Sequence, residues 1–417
     1  MKKEKLLRIF SDVWREIPRS PDGLFYATLV CYMTGVYSQF IRWAVPKAHL
    51  EVVVREIMSA IALLLMGVQI AAIPVRFLHR QWQRILAVVL SAALCYSCTR
   101  ISLGSFDMIM ILFLLAFSLR RNYRKTVRAF FLTALGILAA AFLGLTLGYT
   151  FETPKIGPYG VGYSFGFTYS NMTGTVLLLL LMSGWYLLPK KGKRVTFVIS
   201  WPAAVFVYFV IRCRTVAGIL AAFPVLWALI SDSDFAGKLK LRSRRVIKGV
   251  LISMPFLCFG LTVLLASNAE KLVQYTYDTA IENLSMRFVQ SGLAFKKYGF
   301  PLFGQKMLYT AEPEAYFGGV PMQLKVMDNA YSSYAILRGM IYLTALLAWI
   351  AYVQWKAIKR RDYALLLVSV LLCIYGLMER WGLDIYYNFA LFYPLAAIGG
   401  TKADAGPAGS GEKEDAP

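Results

Sequence analysis

The chain has 417 residues, 58% of them hydrophobic and only 16% charged. A soluble domain carries roughly a quarter charged residues, so an ordinary globular enzyme is excluded and an integral membrane protein is expected. Lys and Arg number 45 against 23 Asp and Glu, a net charge of +22. Such an excess suits nucleic acid, anionic lipid or membrane orientation, and its distribution decides among them.

In chain order, residues 1–23 come first. Leu6, Phe10, Val13, Trp14 and Ile17 recur at helical spacing among Lys5, Arg8 and Arg15, which predicts a cytoplasmic amphipathic N-terminus on the inner leaflet. No small-residue cleavage site follows the first apolar run, so a cleaved signal peptide is not expected. Apolar runs suited to crossing a bilayer then lie near 24–41, 57–75, 85–98, 104–119, 129–149, 172–188, 195–211, 216–230, 249–266, 330–353, 363–378 and 383–399. A crossing takes about 20 residues. The pattern predicts an all-α polytopic membrane protein with about 12 transmembrane helices. The third and fourth runs are short and barely separated, so a ten-span count is the alternative.

Nine spans occupy residues 24–266 and three occupy 330–400. Between them, residues 267–329 form a long loop in which Leu272, Tyr275, Ile281, Leu284, Phe288 and Leu293 keep helix-like spacing, so a large, partly helical extracytoplasmic cap is predicted. A second long connection, 150–171, is rich in Gly, Pro and Tyr and falls on the same side. Residues 401–417, without an aromatic, predict a disordered cytoplasmic tail. Lys and Arg sort 30 to one side of this topology and 15 to the other. The positive-inside rule then puts both termini in the cytoplasm, and the basicity needs no nucleic acid to explain it.

Cys31, Cys95, Cys98, Cys213, Cys258 and Cys373 fall mostly within spans, and a lone CxxC has no second pair. His49 and His79, the only histidines, lie on opposite sides. Neither a metal site nor a Ser-His-Asp triad is expected, and no phosphate-binding glycine loop gives a nucleotide a seat. No metal or cofactor is therefore expected.

The outer side instead carries arginines that the charge bias disfavours. Arg212 and Arg214 sit in a tight turn, Arg287 lies on a predicted cap helix four residues after Asn283, Arg338 lies about two turns into the tenth span, and Arg380 follows Glu379. An arginine at a membrane is a functional suspect, and its fixed fork of donors suits phosphate; the bland reading is snorkelling or a carboxylate partner. Asp328 opens the tenth span, and Glu379 and Asp384 flank the turn before the twelfth. A carboxylate at a low-dielectric mouth can serve as a general base. It can equally hold an arginine in place.

Four local stretches resemble the O-antigen ligase and Wzy-type polysaccharide polymerase superfamily. They are Ser164-Phe165-Gly166-Phe167 through Asn171 and Gly174; Cys213-Arg214-Thr215; Leu284-Ser285-Met286-Arg287 with Pro301-Leu302-Phe303-Gly304 behind it; and Asp328-Asn329-Ala330-Tyr331 with Gly339. Glu379 with Asn388 is similar to a final E…N pair. The likeness covers roughly residues 160–390 in the family's order. Asp328 stands where ligases carry a His, which favours a polymerase. Gly162 stands where many members have an Arg, and Ser170 replaces a Pro, so no phosphate contact is assigned to that first loop; Asn171 has a simple helix-capping role as its alternative.

The resemblance implies a GT-C type glycosyltransferase, inverting and metal-independent, on the outer face of a bacterial cytoplasmic membrane. Undecaprenyl-diphosphate-linked oligosaccharides would be donor and acceptor, with a chain-length regulator as a further partner. It implies Arg214 and Arg287 on the departing diphosphate and Arg380 as a further phosphate contact or a salt bridge. Asp328 would be the base, with Glu379 second, and Asn171, Asn329 and Tyr331 would contact substrate. Tyr159, Tyr163, Tyr169, Tyr298, Tyr316 and Tyr331 are expected to stack on sugars or to form an interface belt. An O-antigen ligase is the nearest alternative. A lipid-linked oligosaccharide flippase or a solute transporter should instead show two related halves and a central cationic path.

Overall fold

A computed structural model describes residues 22–44, 50–71, 121–157, 160–189, 195–231, 241–276, 282–307, 315–317, 320–322 and 327–393, with positions 114, 118 and 324. The expected amphipathic N-terminus, the third span, all but Leu114 and Ser118 of the fourth, the C-terminal tail, Cys95, Cys98, His49 and His79 lie outside the described residues.

The described chain is mostly helical. α1 (Asp22–Ser38) buries Phe25, Leu29, Tyr32, Met33 and Tyr37 along one face, with Thr28, Gly35 and Ser38 buried beside it. α2 (Leu50–Ala71) packs on it and buries only Ala62 and Gln69 fully. Gln69 Nε2 donates to Thr28 Oγ1 at 2.8 Å, the kind of bond that joins helices in lipid. The other face of α2 exposes Val52, Ile57, Leu64, Val68 and Ile70, which water would penalise and lipid accepts.

α3 (Tyr123–Thr146) starts at Asn122, whose side chain accepts from Lys125 N, and leads into a hairpin of β1 (Lys155–Gly157) and β2 (Gly160–Gly162). α4 (Ser170–Leu187) follows. α5 (Val195–Phe206) passes into a π turn at Val207–Ile211 that ends on Arg212 in the left-handed region, φ 60°. The chain reverses there and enters α6 (Arg214–Ser231). α7 (Leu241–Ser267) carries it to the cap, formed by α8 (Ala269–Thr276), α9 (Glu282–Tyr298) and a second hairpin, β3 (Ala315–Phe317) with β4 (Val320–Met322).

Among the described residues, four helices are long and apolar enough to cross a membrane: Leu50–Ala71, Tyr123–Thr146, Val246–Ser267 and Met340–Lys359. Val198–Ile211, Arg214–Trp227 and Tyr363–Gly376 are shorter apolar stretches. The cap has its own small core of Val273, Val289, Leu293, Met307, Met322, Leu324 and Met327, joined by Ile336 from below. Of the positions spaced for burial in the cap, Phe288 and Leu293 are buried and Tyr275 stands exposed.

Two expectations about the C-terminal spans are corrected. The tenth is two helices, α10 (Ala330–Leu337) and α11 (Met340–Lys359), parted at Arg338 and Gly339. Gly339 has φ 86° and ψ 161°, a region essentially reserved for glycine. A Cβ there would lie 2.5 Å from Leu302 O. The Pro301–Gly304 segment fills the break: Met340 N donates to Pro301 O, Ile341 N to Leu302 O, and Gln305 N to Ile336 O. These bonds satisfy helix-end groups that would otherwise be orphaned beside the membrane.

The second correction concerns the twelfth span. After α12 (Tyr363–Gly376), the described chain to Tyr393 holds two short 3₁₀ turns, Arg380–Leu383 and Phe389–Phe392, around an irregular 384–388. Asp384 engages Arg338 and Tyr334, and Asn388 Nδ2 donates to Gly382 O at 3.1 Å. Side-chain bonds of this kind compete with a regular helix.

Candidate functional site

Stretches far apart in sequence meet beneath the cap: the first turn of α4, the start of α6, α9, the lead-in to α10 and the turn behind α12. Arg287 on α9 is the centre. Its Nη2 lies 2.8 Å from Glu379 Oε1 and 3.9 Å from Asp328 Oδ2. Asn171 Nδ2 donates to the same Glu379 oxygen at 3.2 Å. Arg287 Nη1 is buried and has no hydrogen-bond partner among the described residues. Burial pushes the Arg287 guanidinium toward losing its proton, but the Glu379 and Asp328 carboxylates outweigh it and its pKa lies above the ordinary arginine value. The group stays charged.

Glu379 is placed by the end of α12. Its N–H donates to Tyr375 O at 2.9 Å, its backbone turns extended, and the following 3₁₀ turn doubles back so tightly that a Cβ on Gly382 would sit 2.6 Å from Gly376 N. Only glycine allows that approach. The Thr175 and Tyr375 hydroxyls meet at 2.6 Å and join α4 to α12, which holds Asn171 opposite Glu379. Asn171 does not cap α4: the capping position is Tyr169, without a side-chain cap bond.

The two carboxylates differ in access. Glu379 is 3% exposed, whereas Asp328 is 40% exposed. Asp328 is held at that edge by its neighbours. Asn329 Oδ1 accepts from Ser332 N to start α10, and its Nδ2 donates to Thr262 Oγ1 of α7 and to Leu377 O. Tyr331 OH donates to Cys373 O at 2.9 Å, and the Ser332 and Ser291 hydroxyls meet at 2.8 Å between α10 and α9. Asn329 and Tyr331 are fully buried. Both are scaffold in this structure, where the sequence reading set them against substrate.

The remaining arginines separate into groups. Arg214 opens α6, half-buried, beside Cys213, which packs on Gly174 and lies within electrostatic reach of Arg287. Arg380 is exposed and stacks over Trp381, 4.0 Å from the ring centre. Arg338 has a structural place: it donates to Asp384 Oδ1 and Tyr342 OH, both at 3.1 Å, and lies 3.9 Å over the Tyr334 ring. Asp384 and Glu379 thus each hold an arginine.

Sequence reading missed Glu152. Its carboxylate accepts from Ser164 N, from Ser164 Oγ at 2.9 Å and from Phe165 N at 2.9 Å, fixing the Ser164–Phe167 turn that enters α4. Among the tyrosines, Tyr163 and Tyr169 are exposed and Tyr298 is half-buried. The side chains of Tyr159, Tyr316 and Asn283 lie outside the described residues. Among the described residues, no group of three or more His, Cys, Asp or Glu gathers as metal ligands.

The arrangement has a definite chemistry. A fork with one arm on a buried carboxylate keeps the other arm aimed, which suits donation to an anionic oxygen. A second, exposed carboxylate stands beside it. No protein-family model, curated protein or solved structure matches the chain.

Proposed function

We propose that the chain is a polysaccharide repeat-unit polymerase: a GT-C type, inverting, metal-independent glycosyltransferase that spans the membrane several times, with both termini in the cytoplasm. It joins undecaprenyl-diphosphate-linked oligosaccharides on the outer face of a bacterial cytoplasmic membrane. The observation that carries this reading is Arg287, half-sequestered at 17% exposure, with Nη2 on Glu379 and Nη1 unspent.

In this reading Arg287 Nη1 donates to an oxygen of the departing diphosphate, whose charge grows in the transition state. Glu379 already balances the Arg287 charge, so Arg287 contributes direction, and Arg214 is the second arginine on the diphosphate. Asp328, the accessible carboxylate, takes the proton of the acceptor hydroxyl as that oxygen attacks the anomeric carbon and the carbon–oxygen bond to diphosphate breaks. Glu379, carrying Arg287 and Asn171, positions the fork. Bond energy resides in the diphosphate ester, so no nucleotide is needed.

The test is to incubate the purified protein in nanodiscs with an undecaprenyl-diphosphate-linked repeat unit, with and without EDTA, and to separate the products on a gel. A ladder unchanged by EDTA is expected. Absence of any ladder with several repeat units, together with movement of the lipid-linked sugar across proteoliposomes, would replace this reading with a flippase.

A further inference from the structure

We propose that the turn over residues 300–303 is a membrane anchor of the cap, dipping into the leaflet on the cap side with anionic phospholipid headgroups on the flanking lysines. The height of the turn is set by its backbone. Met340 N donates to Pro301 O at 2.8 Å and Ile341 N to Leu302 O at 3.2 Å, so Leu302 lies level with the first turn of α11. That helix has 20 residues, a rise of about 30 Å at 1.5 Å per residue, which equals the hydrocarbon thickness. Its far end carries Lys356, Lys359, Arg360 and Arg361, so the cap-side end marks the other edge of the hydrocarbon.

At that edge the turn presents apolar side chains outward. Phe300, Leu302 and Phe303 are 48%, 64% and 49% exposed, and exposed Ile341 continues the patch onto α11. Phe300 is held against Phe295 of α9, ring centres 4.5 Å apart. The patch is therefore built into the fold and is continuous with the face a spanning helix turns to lipid.

The flanks carry exposed Lys296 and Lys297, in the last turn of α9, and exposed Lys306 just after the turn. Lysine is depleted from protein–protein interfaces, whereas a basic flank on an apolar patch is the pattern of interfacial lipid binding. Lipid is therefore the occupant rather than a partner protein. This anchor would fix the height of α9, whose Arg287 lies 11 residues before Tyr298, and it stands whether or not the chain is a polymerase.

The test attaches a nitroxide to Leu302→Cys and, separately, to Phe303→Cys, with the unsubstituted protein as control for labelling of native cysteines. Each is reconstituted in phosphatidylcholine bilayers containing phosphatidylglycerol. Collisions with oxygen, which concentrates in hydrocarbon, are expected to exceed those with a water-soluble nickel chelate at both positions. Nickel collisions in excess, or a label that neither relaxant reaches, as under a partner protein, would overturn the anchor. Adding Lys296→Gln, Lys297→Gln and Lys306→Gln to Leu302→Cys should lower the oxygen-to-nickel ratio; an unchanged ratio would remove the headgroup contact from the proposal.

Discussion

Arg287 and Glu379 pair at 2.8 Å between the cap helix α9 and the turn behind α12, with the carboxylate buried and shared with Asn171. Each ion costs several kcal/mol to desolvate, about what a close pair recovers at an effective dielectric near 20. The pair is therefore weak as a source of stability. Its consequence is geometric: a flexible side chain is held in one orientation, with its second nitrogen buried and aimed.

Replacing Arg287 by Lys should then fail almost as badly as replacing it by Ala. Lysine keeps the charge but not the fork, so it can satisfy Glu379 or reach a ligand oxygen, not both in this geometry. Both variants are expected to lose about 100-fold or more in chain growth, the scale of removing one transition-state donor, at normal membrane levels. Wild-type ladders from Arg287→Lys would show that charge alone suffices.

Glu379 separates positioning from catalysis. Glu379→Ala strands the Arg287 charge and should destabilise the protein by about 3–5 kcal/mol, the cost of breaking a buried pair. Glu379→Gln keeps an acceptor for Arg287 and should melt closer to wild type. Thermal unfolding in detergent measures both. Equal melting temperatures for the two would mean that the ion pair does not join α9 to α12.

The helical character and the residues of the site were legible for different reasons. Apolar runs announce helices because lipid requires them, and Arg287, Glu379 and Asp328 were visible as charges in an otherwise apolar setting. The broken tenth span was not: apolar residues run on both sides of Arg338, and the break exists because the distant Pro301–Gly304 segment seats on Gly339. The same limit applies to Asn329 and Tyr331. A motif marks the neighbourhood of a site, but whether a polar side chain faces a substrate or a Leu377 or Cys373 carbonyl is set by packing across α7, α10 and α12.

Gly339 tests that seat. Alanine would need a backbone region costing about 1–3 kcal/mol for a residue with a Cβ, and its methyl would meet Leu302 O at 2.5 Å. Gly339→Ala is expected to lower the melting temperature and to speed protease cleavage within residues 267–329, because the Pro301–Gly304 segment must move away. Unchanged cleavage would show that the cap does not depend on this contact.

Asp328 offers the sharpest division between chemistry and structure. It is 40% exposed and 3.9 Å from Arg287, too loose and wet a pair to contribute more than about 1 kcal/mol. Asp328→Asn keeps the shape while removing the capacity to accept a proton, so the melting temperature should stay near wild type while chain growth falls by about 100- to 10,000-fold, the usual worth of a general base. Asp328→Glu, which keeps the carboxylate on a longer arm, should retain more activity than Asn. If Asn and wild type give the same rate across the pH range, the acceptor proton leaves by another route. Glu379, already committed to Arg287 and Asn171, would have to be freed from both to take that part.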